Sequence, residues 1–75
     1  MVMIVSPEKY RNKTILKEAI KKGENVLVED PSIFNPRVFM IKEMRLGEVI
    51  TVTNHPKRSY FVKIQRKVDG TFKVE

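Results

Sequence analysis

VITVTNHPKRSYFVKIQRKV, residues 49–68, alternates apolar and polar side chains on either side of a basic turn. A period of two over five or more residues marks a half-buried strand. The stretch therefore predicts two strands, Glu48–Asn54 and Tyr60–Lys67, joined through Asn54-His55-Pro56. It holds no acidic residue, five Lys or Arg, one His and the adjacent aromatics Tyr60 and Phe61. Val62 and Ile64 fall on one face of the later strand, and Phe61, Lys63, Gln65 and Lys67 on the other.

The next turn downstream sets a register. A two-residue Asp69-Gly70 loop would pair Lys67 with Phe72 and mix charge with core on one face. A three-residue Val68-Asp69-Gly70 loop, with Gly70 left-handed in a bulge, pairs Arg66 with Phe72 and Ile64 with Val74. Tyr60, Val62, Ile64, Phe72 and Val74 then share a face, so the bulged turn is preferred. It puts a last strand at Thr71–Val74.

Upstream, Arg37–Met44 predicts a strand joined to Glu48–Asn54 by a hairpin around Leu46-Gly47, with two registers open. PSIFNP, Pro31–Pro36, is a loop bounded by prolines. Its Ile33 and Phe34 either plug the open end of the core or offer a contact to a partner. Asn25–Glu29 reads as a strand stopped by Asp30-Pro31. Ser6-Pro7-Glu8 starts a helix, with Ser6 as cap, and Gly23 ends it. Ile15, Leu16, Ala19 and Ile20 form its apolar stripe. Regular helix begins as late as Lys13, because Arg11-Asn12-Lys13 carries little apolar signal. Lys13, Lys17 and Lys21 make a lysine stripe that suits a solvated face. Met1–Val5 is a continuous apolar run and reads as a buried strand.

The order is β-α-β followed by a β-meander. This predicts an α+β fold, one N-terminal helix packed on a small curled, mainly antiparallel β-sheet or partly open barrel. Seventy-five residues make a single small basic domain, 1–75. So short a chain buries only about 60% of its unfolded surface, and a homodimer would add to that.

With 41% hydrophobic and 32% charged residues the chain is globular. It has no cysteine, which excludes disulfides, thiolate metal sites and cysteine nucleophiles. No apolar run approaches the ~20 residues needed to cross a bilayer, and no secretory signal is evident. The expectation is a cytoplasmic protein with no membrane partner. The formal charge is +6 and uneven: residues 1–36 carry net +1 and residues 37–75 net +5. Such a surplus makes polyanions the first partner class to consider, although charge also keeps small proteins soluble.

Little here suggests catalysis. His55, the single histidine, lies four residues before Ser59 with no acidic neighbour in sequence. Glu29-Asp30 has no third ligand at metal-site spacing. The three glycines are isolated at turns or caps, so no phosphate loop forms. The chain is read as a non-enzyme without metal or cofactor.

The basic hairpin is the candidate site. Lys57 and Arg58 occupy its turn. Phe61, Lys63, Gln65, Lys67 and Lys73 would form one outer patch, with Thr51, Thr53 and Asn54 as neutral donors. Cations meet phosphates, and a flat ring, Phe61 or Tyr60, stacks on a base. Arg66 adds charge, though the preferred register turns it inward. The predicted partner is nucleic acid, DNA or RNA, bound with little sequence specificity. Three alternatives stand beside it, one of them a small enzyme built around His55 in an oligomer. Outward lysines also protect sheet edges. An adaptor role would instead use a sheet edge or Ile33 and Phe34 against a protein partner.

Overall fold

The computed structural model describes residues 1–75, with Ser6 described by its backbone alone. The capping role expected of Ser6 falls outside the described residues. Met1–Val5 supplies most of β1 (Val2–Ser6). A 3-10 turn at Glu8–Arg11 follows, then α1 (Lys13–Lys22), β2 (Leu27–Asp30) and β3 (Arg37–Met40). A second 3-10 turn, Ile41–Glu43, leads to β4 (Val49–Thr53), β5 (Phe61–Arg66) and β6 (Phe72–Val74). The six strands lie in the order β3-β2-β1-β4-β5-β6. Only β1 and β4 are parallel, so the expected α+β fold with a mainly antiparallel, open sheet is what forms.

The helix is shorter than the start signal suggests. Asn12 is extended and separates the 3-10 turn from α1, and its side chain accepts from the Ile15 N–H at 3.2 Å. At the other end Gly23 is left-handed, φ +77, and the Glu24 N–H closes onto Ala19 O at 3.0 Å. Leu16, Ala19 and Ile20 are buried. Ile15 is not: it is 42% exposed, because the helix turns only its 16-19-20 edge to the sheet. Among the described residues no helix is long and apolar enough to cross a membrane.

The largest departure from expectation is between β3 and β4. β3 is antiparallel to β2, β2 antiparallel to β1, and β1 parallel to β4. β3 and β4 therefore point the same way with two strands between them, and the hairpin expected across Leu46-Gly47 does not form. A straight strand through Met44 would send Ile41 and Met44 to opposite faces. The 3-10 turn buries both in the one core, anchored by the Ile41 N–H on Val26 O at 2.9 Å. Gly47, φ +85, then gives its N–H to Arg66 O at 2.7 Å, and the Arg66 N–H bonds Glu48 O at 2.9 Å. The Leu46-Gly47 turn thus docks on β5 instead of joining β3 to β4.

Val2 and Ile4, with Val28, Phe39, Ile50, Val52, Val62 and Ile64, form the inner sheet face under α1 and the crossover. The final turn follows the bulged register: Gly70 is left-handed, φ +89, and Arg66 pairs with Phe72 and Ile64 with Val74.

One ion pair ties the crossover to the sheet. Arg37 Nη1 donates to Glu48 Oε2 at 2.8 Å, and the Arg45 N–H donates to Glu48 Oε1 at 2.9 Å. Burial pushes the Glu48 carboxyl up. The two hydrogen bonds and the charges of Arg37 and Arg45 outweigh it and hold the pKa below the ordinary value of 4.5. A carboxyl more acidic in the fold than in the unfolded chain stabilises the fold above its unfolded pKa. That contribution is lost as pH falls through the folded value. Glu48→Gln should therefore be less stable at neutral pH and flatten the acid limb below about pH 4.5, read as urea midpoints across pH.

Candidate nucleic-acid interface

Pairing of β4 with β5 sets Thr51 opposite Lys63 and Thr53 opposite Phe61, while β6 sets Lys73 opposite Gln65. Alternation then puts Phe61, Lys63, Gln65 and Lys73 together on the outer face, away from Val62 and Ile64. Phe61 is 51% exposed. Lys63 is exposed and, among the described residues, makes no salt bridge. Lys73 is exposed but lies 3.4 Å from Glu75, which offsets part of its charge. Lys67 is exposed at the mouth of the last turn. Asp69 fixes that turn by accepting from the Thr71 hydroxyl and N–H, and these bonds lower its pKa.

The structure withdraws several members from the expected patch. Arg66 is half-buried on the inner face, its guanidinium 4.5 Å from the Phe72 ring centre, and its Nη1 donates to Lys42 O at 2.9 Å. The register that pairs it with Phe72 makes it a clasp on the crossover, not an outward cation. Thr53 and Asn54 are buried; the Thr53 hydroxyl donates to Tyr60 O at 2.8 Å. Tyr60 is also buried, and its hydroxyl donates to Tyr10 O at 2.7 Å. Its ring is core and offers no stacking surface.

The basic turn is organised by Asn54. Its Oδ1 accepts from the N–H groups of Ser59 at 2.7 Å and Tyr60 at 3.4 Å, and its Nδ2 donates to Ser59 Oγ at 2.9 Å. The loop includes a cis His55-Pro56 peptide and a left-handed Arg58, φ +52. It folds against Met3 on the outer face, with His55 Nδ1 at 3.2 Å and Arg58 Nη2 at 4.0 Å from Met3 Sδ. Lys57 lies on another side of the loop, lining a cleft with Arg11 and Asn12. Arg58 therefore stays with the outer face and Lys57 leaves it.

Ile33 and Phe34 are 88% and 92% exposed, so neither plugs the core, which Ile41 and Met44 complete instead. Among the described residues no three His, Asp or Glu side chains cluster as metal ligands. Arg11, Asn12 and Ser59 beside Lys57 had no signal in the sequence, because the break in the helix at Asn12 brings them together. Comparison of the chain with protein-family models, with curated proteins and with solved structures finds no match.

Burial pushes the Tyr60 phenol from its ordinary value of 10.0 up to about 12. A raised folded pKa means the stabilisation is whole below the unfolded value and is lost as pH climbs through the folded one. Ultraviolet titration should show a phenol ionising only near pH 12, with stability falling from pH 10 upward. Ionisation at pH 10 in the folded protein would return Tyr60 to the surface.

Proposed function

We propose that the chain binds single-stranded nucleic acid, with little preference among bases, through the outer face of β4, β5 and β6. The observation that carries this reading is Phe61, a ring 51% exposed with the exposed Lys63 two residues along the same strand. A duplex hides its base faces, whereas a single strand can stack one on such a ring while a neighbouring cation meets the phosphate. Lys73 shares that face opposite Gln65, Lys67 follows the end of β5, Arg58 sits in the preceding loop against Met3, and residues 37–75 carry net +5.

The test is binding of labelled single-stranded DNA and RNA across a salt series. If four phosphates are neutralised, log K should fall against log salt with a slope of roughly −3. Lys63→Ala should reduce that slope by about 0.7 on all sequences alike. Phe61→Ala should cost about 1–3 kcal/mol with the slope unchanged. Absence of binding at low salt would end this reading.

A second reading, contact with a protein partner through Pro31–Pro36, draws on the exposure of Ile33 and Phe34. An isolated apolar pair held in solvent by a loop between two prolines suits an anchor residue. Phe34→Ser should then abolish partner capture and leave nucleic-acid binding unchanged.

A further inference from the structure

The β4–β5 loop faces the junction between the first 3-10 turn and α1 across a cleft of about 380 Å³. Small-molecule sites occupy roughly 300–1,000 Å³. Glu8, Arg11, Asn12, His55, Lys57 and Ser59 line it. Their hydrogen-bonding capacity is lopsided toward donors. Asn12 uses its Oδ1 on the Ile15 N–H, which leaves the Nδ2 amide to donate. Ser59 Oγ accepts from Asn54 Nδ2 at 2.9 Å, which leaves its own hydroxyl proton to donate. Lys57 is exposed and, among the described residues, makes no salt bridge.

Arg11 completes the set. It meets Glu8 at a loose 3.8 Å, and that carboxylate side chain is 87% exposed. Among the described residues the buried Arg11 Nε has no hydrogen-bond partner. Asn12 caps α1, so the cleft also lies at the positive end of a ten-residue helix dipole. Two cations and two neutral donors line one cleft, with one acidic side chain that remains largely in water. A tetrahedral oxyanion has an acceptor for each of them.

We propose that this cleft binds a phosphate monoester, held by Arg11, Lys57, the Asn12 amide and the Ser59 hydroxyl. That chemistry belongs equally to a small phosphorylated molecule and to the terminal phosphate of a nucleic-acid strand. The site stands apart from the outer face: none of its four residues is used there. The buried Asn54 positions the Ser59 hydroxyl before any ligand arrives, so the site is largely preformed.

The test is an amide-shift titration of the isotopically labelled full chain with inorganic phosphate, adenosine 5′-monophosphate and adenosine. Saturable shifts around Arg11–Asn12 and Lys57–Ser59 are expected with both phosphates and not with adenosine. Lys57→Gln, at an exposed position where the fold is undisturbed, should weaken adenosine 5′-monophosphate binding about tenfold, as should Ser59→Ala. Lys63→Ala should leave it unchanged. Tighter binding of a 5′-phosphorylated oligonucleotide than of its 5′-hydroxyl twin, abolished by Lys57→Gln, assigns the strand end as the source. Equal binding of the two oligonucleotides, with adenosine 5′-monophosphate still saturating the cleft, assigns a small molecule. Phosphate shifts that never saturate, or that ignore Lys57→Gln, overturn the site. Phe61→Ala separates the two readings, since it should weaken both oligonucleotides without touching the phosphate titration.

Discussion

Val2 and Ile4 on one face of β1, and Met3 on the other, are each less than a tenth exposed, so this central strand has to be covered from both sides. Burying each such side chain contributes about 1.5–3 kcal/mol, a large share for a domain whose net stability is a few kcal/mol. On the inner side α1 and the crossover Ile41–Glu43 supply the cover, and on the outer side the β4–β5 loop does. β1 also needs a hydrogen-bonded neighbour along each edge. β2 takes one in antiparallel fashion and β4 the other in parallel. Once β4 lies beside β1, β3 is left on the far side of β2, and segment 41–48 has to cross the sheet.

The same cover divides the cationic turn. Because His55 and Arg58 lean on Met3, the loop lies back over the sheet, and Lys57 is carried toward the first turn of the helix. Asn54 makes this arrangement rigid. A buried amide that satisfies the Ser59 and Tyr60 N–H groups and the Ser59 hydroxyl leaves few alternative loop conformations, since each broken bond would strand a buried polar group. Charge that is continuous in sequence thus becomes two separate electropositive regions, one a sheet face and one a cleft.

Arginine and lysine divide along physical lines here. Arg37 lies 3.9 Å from the Phe39 ring centre and bonds Glu48, and Arg66 lies over Phe72 and bonds Lys42 O. A planar, weakly hydrated guanidinium with several donors tolerates such half-buried duty. Lys57, Lys63, Lys67 and Lys73 remain exposed, as expected of compact, strongly hydrated ammonium groups. The cations left for an anionic partner are therefore mainly lysines, with Arg11, Arg45 and Arg58 beside them.

Period-two alternation in Val49–Thr53 and Phe61–Arg66, the bulged Val68-Asp69-Gly70 turn and the Gly23 helix stop were legible from the chain alone, because each depends on neighbours within a few residues. So were the outward setting of Lys63 and the inward setting of Val62 and Ile64; alternation gave Phe61 the face of Lys63, but only the open outer side of β5 left its ring exposed. Strand order was not legible, because alternation says which face a side chain takes and nothing about which strand lies alongside. Ile41 and Met44 suited a strand by composition, and only a shared core three residues apart made them a 3-10 turn. Thr53 and Asn54 were lost from the surface for the same reason, since their burial is set by contacts with Tyr60 and Ser59 that the folded loop creates, whereas alternation had already set Tyr60 on the face of Val62 and Ile64. The cleft of Arg11, Asn12, Lys57 and Ser59 belongs wholly to tertiary structure, since its halves come from segments far apart in the chain that the pairing of β4 with β1 brings together.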